Sequence, residues 1–411
     1  MRRVVITGLG AITPIGNTVE EFWKNIIEGK CGVDKITLFD TSNFKVKLAA
    51  EVKDFNVEEH FDKRAAKRLD RCSHFAIIAG REVIKNANID LSKTDIERFG
   101  VGVSSGIGGL QTIEDNCDLL LEKGPDKVSP LFVPMSIINM PSGNIAIDLG
   151  LKGESFSITT ACASATHTIG ECYRIIKHGY QDCMIAGGTE ASITPIGIAG
   201  FTNIKALSQN EDPTRASIPF DKERSGFVMG EGAGVILLEE LEHAKQRGAK
   251  IYAEIVGYGA TTDAYHITSP APDGIGGAKA MMLAMKDANI TPDKVNYVNA
   301  HGTSTPLNDK FETLAVKTAF GDSAKTVMVS STKGHTGHLL GAAGGIEAVA
   351  CIKAIEEQIV PPTIGYKDKD EDCDLDIVPN VARKANIEYA MSNSLGFGGH
   401  NSSVIFKKYE E

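Results

Sequence analysis

What the sequence has little of narrows it first. Its eight cysteines form no CxxC pair and follow no zinc-finger spacing, which argues against a disulfide framework and a structural metal and suits a reducing cytosol. No stretch approaches the ~18 apolar residues a membrane span needs. The opening MRRVVITGLGAITPIG has two arginines before a short apolar run, as a signal peptide would. Thr7, Gly8 and Gly10 interrupt that run, so it reads as a buried strand ending in a glycine turn. Positive charge is also in deficit: the formal net charge is −10, so the molecule as a whole repels nucleic acid and anionic lipid. The expectation is a cytoplasmic protein with neither a membrane nor a nucleic acid as partner.

What is present points to layers. With 411 residues, 42% hydrophobic and 23% charged, the chain can build two cores or one large layered one. Its 42 glycines cluster at strand-to-helix corners such as SSGIGGL, IAGGTEAS, GAAGG and GFGGHN. Strand-like runs alternate with helical patterns, which predicts an α/β fold with mostly parallel strands. SITTACASATHTIGECYRIIKHG resembles SSTKGHTGHLLGAAGGIEAVACIKAIEEQ, and GEGAGVILLEE resembles GFGGHNSSVIFKK. The echo suggests a duplicated unit joined near residues 245 to 252, with halves 1–248 and 249–411. Chance likeness of two strand-helix corners is the alternative. If duplication holds, functional groups come from corresponding corners of both halves.

Cys162 stands between a strand-like run and an amphipathic helical pattern. A cysteine at the first turn of a helix lies near about half a positive charge and several free N–H groups, which favour thiolate. Its neighbours Ala161, Ala163, Ser164 and Ala165 leave room for a substrate. Cys31, Cys72, Cys117, Cys172, Cys183, Cys351 and Cys373 carry no such signal and read as small buried apolar residues.

Three histidines in the second half stand at corners: His301 in HGTSTPLND, and His335 and His338 in TKGHTGHLLGAAGG. One such histidine is commonly a structural hydrogen-bonder, but two corners among Gly, Ser and Thr are harder to explain that way. HTGH could chelate a metal, yet no acidic residue is placed as in HExxH, and Glu347 lies nine positions beyond His338, so no metal is expected. Lys333 is the natural electrostatic neighbour for a centre that handles carboxylates. In SLGFGGHN, glycines around Phe397 could bring its N–H beside that of Cys162 as an oxyanion hole; a tight turn before the last strand is the plainer alternative. In FDKRAAKRLDR, Lys63, Arg64, Lys67, Arg68 and Arg71 recur at spacings for one side of a helix, either a docking patch for an acidic partner or a solvated face.

The motifs TTACASA, NAHGTSTPLND, KGHTGHLLGAAGG and SLGFGGHN, with VVITGLGAITPIG and PFDKERSGFVMGEGAG, together resemble those of the β-ketoacyl-acyl carrier protein synthases, nearest to the bacterial elongating type, over essentially the full length. The resemblance implies a thiolase fold, two similar halves in a five-layered αβαβα arrangement, in a homodimer. It implies that Cys162 accepts the acyl group and that His301 and His338 bind the malonyl thioester and promote loss of CO2. Lys333 and Glu347 match the supporting charged residues. Thr303 and Thr305 match positions that bond the phosphopantetheine arm, and Ile107 and Phe397 those that line and gate the acyl pocket. The partner implied is acyl carrier protein, acyl- or malonyl-loaded, docking at Lys63, Arg64, Lys67 and Arg68. No cofactor is implied, since the phosphopantetheine arrives on the carrier. His400 stands where the family frequently has threonine, which bears on the gate rather than the chemistry.

The implied reaction is decarboxylative condensation, in which acyl-Cys162 and malonyl carrier protein give a 3-oxoacyl chain two carbons longer. Thiolases proper use a second cysteine near the C-terminus, which the closing motif lacks. Type III synthases use Cys-His-Asn, whereas the third residue here is His338. A ketosynthase of a dissociated polyketide pathway would share every catalytic residue. A non-catalytic binding partner would not need Cys162 and both histidines. A papain-like hydrolase would need a different sequence around its cysteine.

Overall fold

The ten strands of one sheet and six of the helices fall into two runs with one plan. The structure, a computed structural model, describes residues 1–410. The first run is β1 (Val4–Ile12), α1 (Arg71–Asn86), β2 (Phe99–Ser104), α2 (Met140–Leu149), β3 (Ser155–Phe156), α3 (Ser164–Lys177), β4 (Cys183–Glu190) and β5 (Gly232–Glu240). The second is β6 (Ala253–Thr262), α4 (Ile275–Asp287), β7 (Tyr297–Asn299), α5 (Pro306–Phe320), β8 (Met328–Ser330), α6 (Ala343–Glu357), β9 (Tyr389–Gly396) and β10 (His400–Lys407).

The strands lie in the order β8-β7-β9-β10-β6-β1-β5-β4-β2-β3. Within the first run, β1/β5 and β5/β4 are antiparallel while β4/β2 and β2/β3 are parallel. The second run repeats this pattern as β6/β10, β10/β9, β9/β7 and β7/β8. The two five-strand sets pair with each other where Val4–Ile6 of β1 meets 253–255 of β6. The stretches that echo one another in the sequence occupy matching places: 157–179 supplies α3 and 330–358 supplies α6, while β5 and β10 are the matching final strands.

Three apolar cores separate the layers. Helices α1 and α2 cover one set of strands through Phe75, Ala79, Val83 and Ile145, and α4 and α5 cover the other through Met281, Met285 and Val316. Between the sets lie α3 and α6, packed on each other and on strands of both halves around Ile169, Ile346 and Val349. Strands covered on both faces carry no polar alternation, and β4 (CMIAGGTE) is buried throughout. Helix α6 is buried nearly all round, as a helix between two sheets must be. A Cβ on Gly345 would overlap the carbonyl oxygen of Gly234, and one on Gly344 the hydroxyl of Thr166. Glycine is therefore what lets α6 reach both β5 and α3.

No helix among the described residues is long and apolar enough to cross a membrane.

Candidate active site

The sheet delivers three reactive side chains to one place because each leaves a strand end. After β3 the chain turns through Ala161, whose φ of 50° is in the left-handed region, and α3 begins at Ser164. The Ser164 hydroxyl accepts from the Thr160 N–H at 2.9 Å and donates to the Ala161 carbonyl at 2.6 Å. Cys162 is thus fixed just ahead of the helix rather than in its first turn. The thiolate expected from the helix terminus is also overruled: burial pushes the thiol up to about 12, Glu190 and Glu347 push the same way, and Lys333 only partly opposes them. The resting side chain is a neutral thiol. Of the other cysteines, Cys117 is exposed and Cys31 half-buried, contrary to the expectation that all would be buried.

His338 sits between β8 and α6, the counterpart of the corner that holds Cys162. Its N–H donates to the Val228 carbonyl at 2.7 Å, and its own carbonyl accepts from Gly230 at 2.9 Å. His301 follows β7, where the Glu312 carboxylate on α5 accepts from the N–H groups of both His301 and Gly302 at 2.7 Å. The two imidazoles meet edge to face, with centroids 5.2 Å apart and planes at 85°. Cys162 Sγ and one nitrogen of each ring lie within 4.8 Å of one another. Both nitrogens of His338 and Nδ1 of His301 are buried and lack any hydrogen-bond partner among the described residues.

Lys333 and Glu347 form a buried ion pair behind this group. Burial, and then the Lys333 ammonium, hold His301 and His338 well below the ordinary 6.5, and both are neutral at physiological pH. A Cys and two neutral His could by geometry also ligate a soft cation, but the charge that disfavours protonation of the rings equally disfavours a dication. The HTGH pair does not converge. The ring nitrogens of His335 face the carbonyls of Lys30 and Pro362 at 2.9 and 3.0 Å instead.

A cavity of about 350 Å³ opens onto Cys162, His301, Thr303, Thr305, His338 and Phe397. The Thr303 and Thr305 hydroxyls lie 2.9 Å apart along its wall. A Cβ on Gly396 would stand 2.6 Å from the Thr160 carbonyl oxygen and 3.4 Å from the Cys162 nitrogen, which places the Phe397 turn against the cysteine. Ile107 does not line this opening; it packs in the apolar cluster that also contains Cys162 and Leu340. Lys333 and Glu347 are sealed away from it.

The basic run departs from the helix expected of it. Only Lys63–Ala66 is helical, capped by Asp62, and a new helix starts at Arg71. Lys63, Arg64, Lys67 and Arg68 are exposed. Arg71 instead turns inward, binds Glu231 through two bonds and lies over Phe75. Sequence reasoning missed Glu312, which carries no motif and is recognisable only through its bonds to the His301 turn. It also missed Phe227, whose ring meets His338 at 5.2 Å.

Two family profiles match the chain: "Beta-ketoacyl synthase, N-terminal domain" over residues 1–244 and "Beta-ketoacyl synthase, C-terminal domain" over residues 252–367. The chain is 54% identical over 409 residues to a 3-oxoacyl-[acyl-carrier-protein] synthase 2 of Staphylococcus aureus strain COL, covering 100% of this chain and 99% of that protein. To the Synechocystis protein of the same name it is 52% identical over 410 residues, with 100% and 99% coverage. Among solved structures it is similar to a type II PKS acyl-carrier protein in complex with its ketosynthase bound to the hexaketide, at TM-score 0.93, 37% identity and 100% coverage of both chains. A beta-ketoacyl synthase from Burkholderia phymatum gives TM-score 0.92 at 34% identity, again over 100% of both.

The protonated resting thiol sets a testable pH dependence. Without a substrate, alkylation of Cys162 by iodoacetamide, followed by peptide mass spectrometry, will accelerate steadily through and beyond the ordinary thiol range of about 8.5. A rate that levels off below neutral pH contradicts this electrostatic account.

Proposed function

The chain belongs to the beta-ketoacyl synthase family, and from that premise we propose that it is the elongating 3-oxoacyl-acyl carrier protein synthase of fatty acid synthesis. One observation carries the assignment of roles: a thiol and two neutral imidazoles with free nitrogens converge at the base of a single cavity.

In the first half-reaction the acyl thioester of a carrier protein enters the cavity. As Cys162 Sγ bonds to the carbonyl carbon, a neutral imidazole takes the thiol proton. N–H groups of Cys162 and Phe397 receive the developing oxyanion. The carrier thiolate leaves and recovers that proton, so the step is balanced. In the second, malonyl carrier protein binds with its arm along Thr303 and Thr305. Loss of CO2 leaves an enolate on the thioester oxygen, and the neutral rings of His301 and His338 donate to it. The α-carbon attacks acyl-Cys162, the carbon–sulfur bond breaks, and solvent returns one proton to the cysteine. Lys333 and Glu347 position the rings and set their charge state. No metal or redox cofactor takes part, because loss of CO2 supplies the electron pair for the new bond.

Identity favours the fatty acid reading over the polyketide one: 54% to the synthase 2 protein against 37% to the polyketide ketosynthase. The presence of Cys162 with both histidines favours an enzyme over a scaffold. The halves divide at 248/249, between the helix Leu241–Gln246 and β6. The outer edge of β3 pairs with no strand among the described residues, and a second copy of this chain is the proposed occupant of that edge. A cytoplasmic location completes the reading.

Two experiments test it. Incubated with acyl carrier protein, the protein will gain an acyl mass on Cys162, and malonyl carrier protein will discharge it as a 3-oxoacyl product. Cys162→Ala abolishes both while unfolding as the wild type does; condensation retained in that variant removes the cysteine from the mechanism. With Lys63→Glu and Lys67→Glu together, KM rises for the carrier-borne substrate and stays put for a pantetheine thioester. An equal rise for both discards the docking role.

A further inference from the structure

The segment 219–227, PFDKERSGF, belongs to the first half of the chain, yet much of its hydrogen bonding goes to a loop of the second. That loop, 301–305, runs from β7 into α5 and carries His301, Thr303 and Thr305. Between the two threonines stands Ser304, whose φ of 67° is in the left-handed region, where a serine stays only if its surroundings hold it. Its hydroxyl accepts from the Ile218 N–H at 2.9 Å, its carbonyl accepts from the Gly226 N–H at 3.0 Å, and its N–H donates to the Asp309 carboxylate at 3.2 Å. The same carboxylate accepts from the Phe220 N–H at 2.8 Å.

Arg224 holds the other end of the loop. Its side chain is buried and donates through Nε to the Thr305 carbonyl at 3.1 Å and through Nη2 to the Pro306 carbonyl at 2.9 Å. Nη1 donates to the Asp221 carbonyl at 2.9 Å and to the Asp370 carboxylate. A buried guanidinium needs such partners, and its planar fork fixes their relative places. Thr305 is the N-cap of α5, a position where a threonine hydroxyl ordinarily accepts from a helix N–H. Here it makes no such bond. It lies 2.9 Å from the Thr303 hydroxyl on the cavity wall instead. With Asp309 and Arg224 holding the start of α5, both hydroxyls are left to the cavity.

We propose that Arg224 is a positioning residue that sets the two threonine hydroxyls for the pantetheine arm, and thereby the preference of the cavity for thioesters whose thiol portion carries amides. The inference rests on the arm-binding role given above to Thr303 and Thr305. A hydroxyl can donate to an amide carbonyl or accept from an amide N–H, provided it is held at the right place. Arg224 does not line the cavity and acts through two backbone carbonyls. Its loss therefore shows in which thioester is accepted, and leaves the reactivity of Cys162 as it was.

The test compares the rate of Cys162 acylation, followed by intact mass at low substrate concentration, with butyryl-pantetheine and with S-ethyl thiobutyrate, which offers the same acyl group and no amide. The wild type will prefer the pantetheine thioester. Arg224→Lys keeps the charge beside Asp309 and Asp370, but one ammonium cannot reproduce the fork on the Thr305 and Pro306 carbonyls. In that variant the preference falls about tenfold, the worth of one or two hydrogen bonds, while the rate with S-ethyl thiobutyrate is unchanged. Asp370→Ala, which removes the half-buried anchor of Nη1, lowers the preference in the same direction and serves if Arg224→Lys fails to fold. An equal fall for both thioesters marks Arg224 as a general support of the fold and overturns the inference. So does a wild-type preference in Arg224→Lys when Thr303→Val with Thr305→Val has lost it. A wild-type preference in that double threonine variant overturns the arm-binding reading itself, and the inference with it.

Discussion

The Lys333 ammonium and the Glu347 carboxylate face each other with almost no access to water, and the electrostatics of the site follow from that pair. Removing one partner of such a pair is worth about 3–5 kcal/mol, because the other is left buried and uncompensated. The pair has a directional effect as well. Burial first, and then the nearby ammonium, keep both imidazoles unprotonated, and the ammonium draws the Cys162 thiol down against the larger effect of burial. Glu347 and Glu190 pull the thiol the other way. The site is therefore a balance of a few unscreened charges in a dry interior, where each counts for more than it would in water.

Under the proposed roles, that balance lets two histidines do what a carboxylate could not. Enolate formation places negative charge on an oxygen, and a neutral N–H donor stabilises it without having to lose a charge first. In the proposed mechanism the same neutrality gives the buried thiol somewhere to send its proton. Burial raises the thiol and lowers the imidazoles, so both groups begin uncharged. Charge is generated only when the substrate is in place to receive it.

The duplicated architecture was legible because glycine-rich corners and helix patterns repeat in the linear sequence. Residues 157–179 and 330–358 become α3 and α6, and both carry a reactive residue at the preceding corner. Cys162, His301 and His338 were legible as residues at strand ends, while their convergence depends on where β3, β7 and β8 lie in the sheet. The state of the thiol was misread: the helix terminus is visible in sequence, but the burial that outweighs it is a property of the packed cluster around Ile107, Leu340 and Phe227. The basic run was misread for a similar reason. Its helical spacing is real, but Asp62 and Asp70 each cap a separate helix, and Glu231 captures Arg71 from 160 residues away. Glu312 was invisible because a carboxylate that serves backbone N–H groups leaves no pattern of its own.

The most direct test is an NMR titration of the 15N-labelled histidine side chains, with His301 and His338 assigned from single asparagine variants. Both rings are predicted to keep the chemical shifts of neutral imidazole as the pH is lowered through 6.5. Titration of either ring near 6.5, with the Lys333 and Glu347 side chains intact, would contradict the account, because a cationic imidazole cannot take the proton of Cys162.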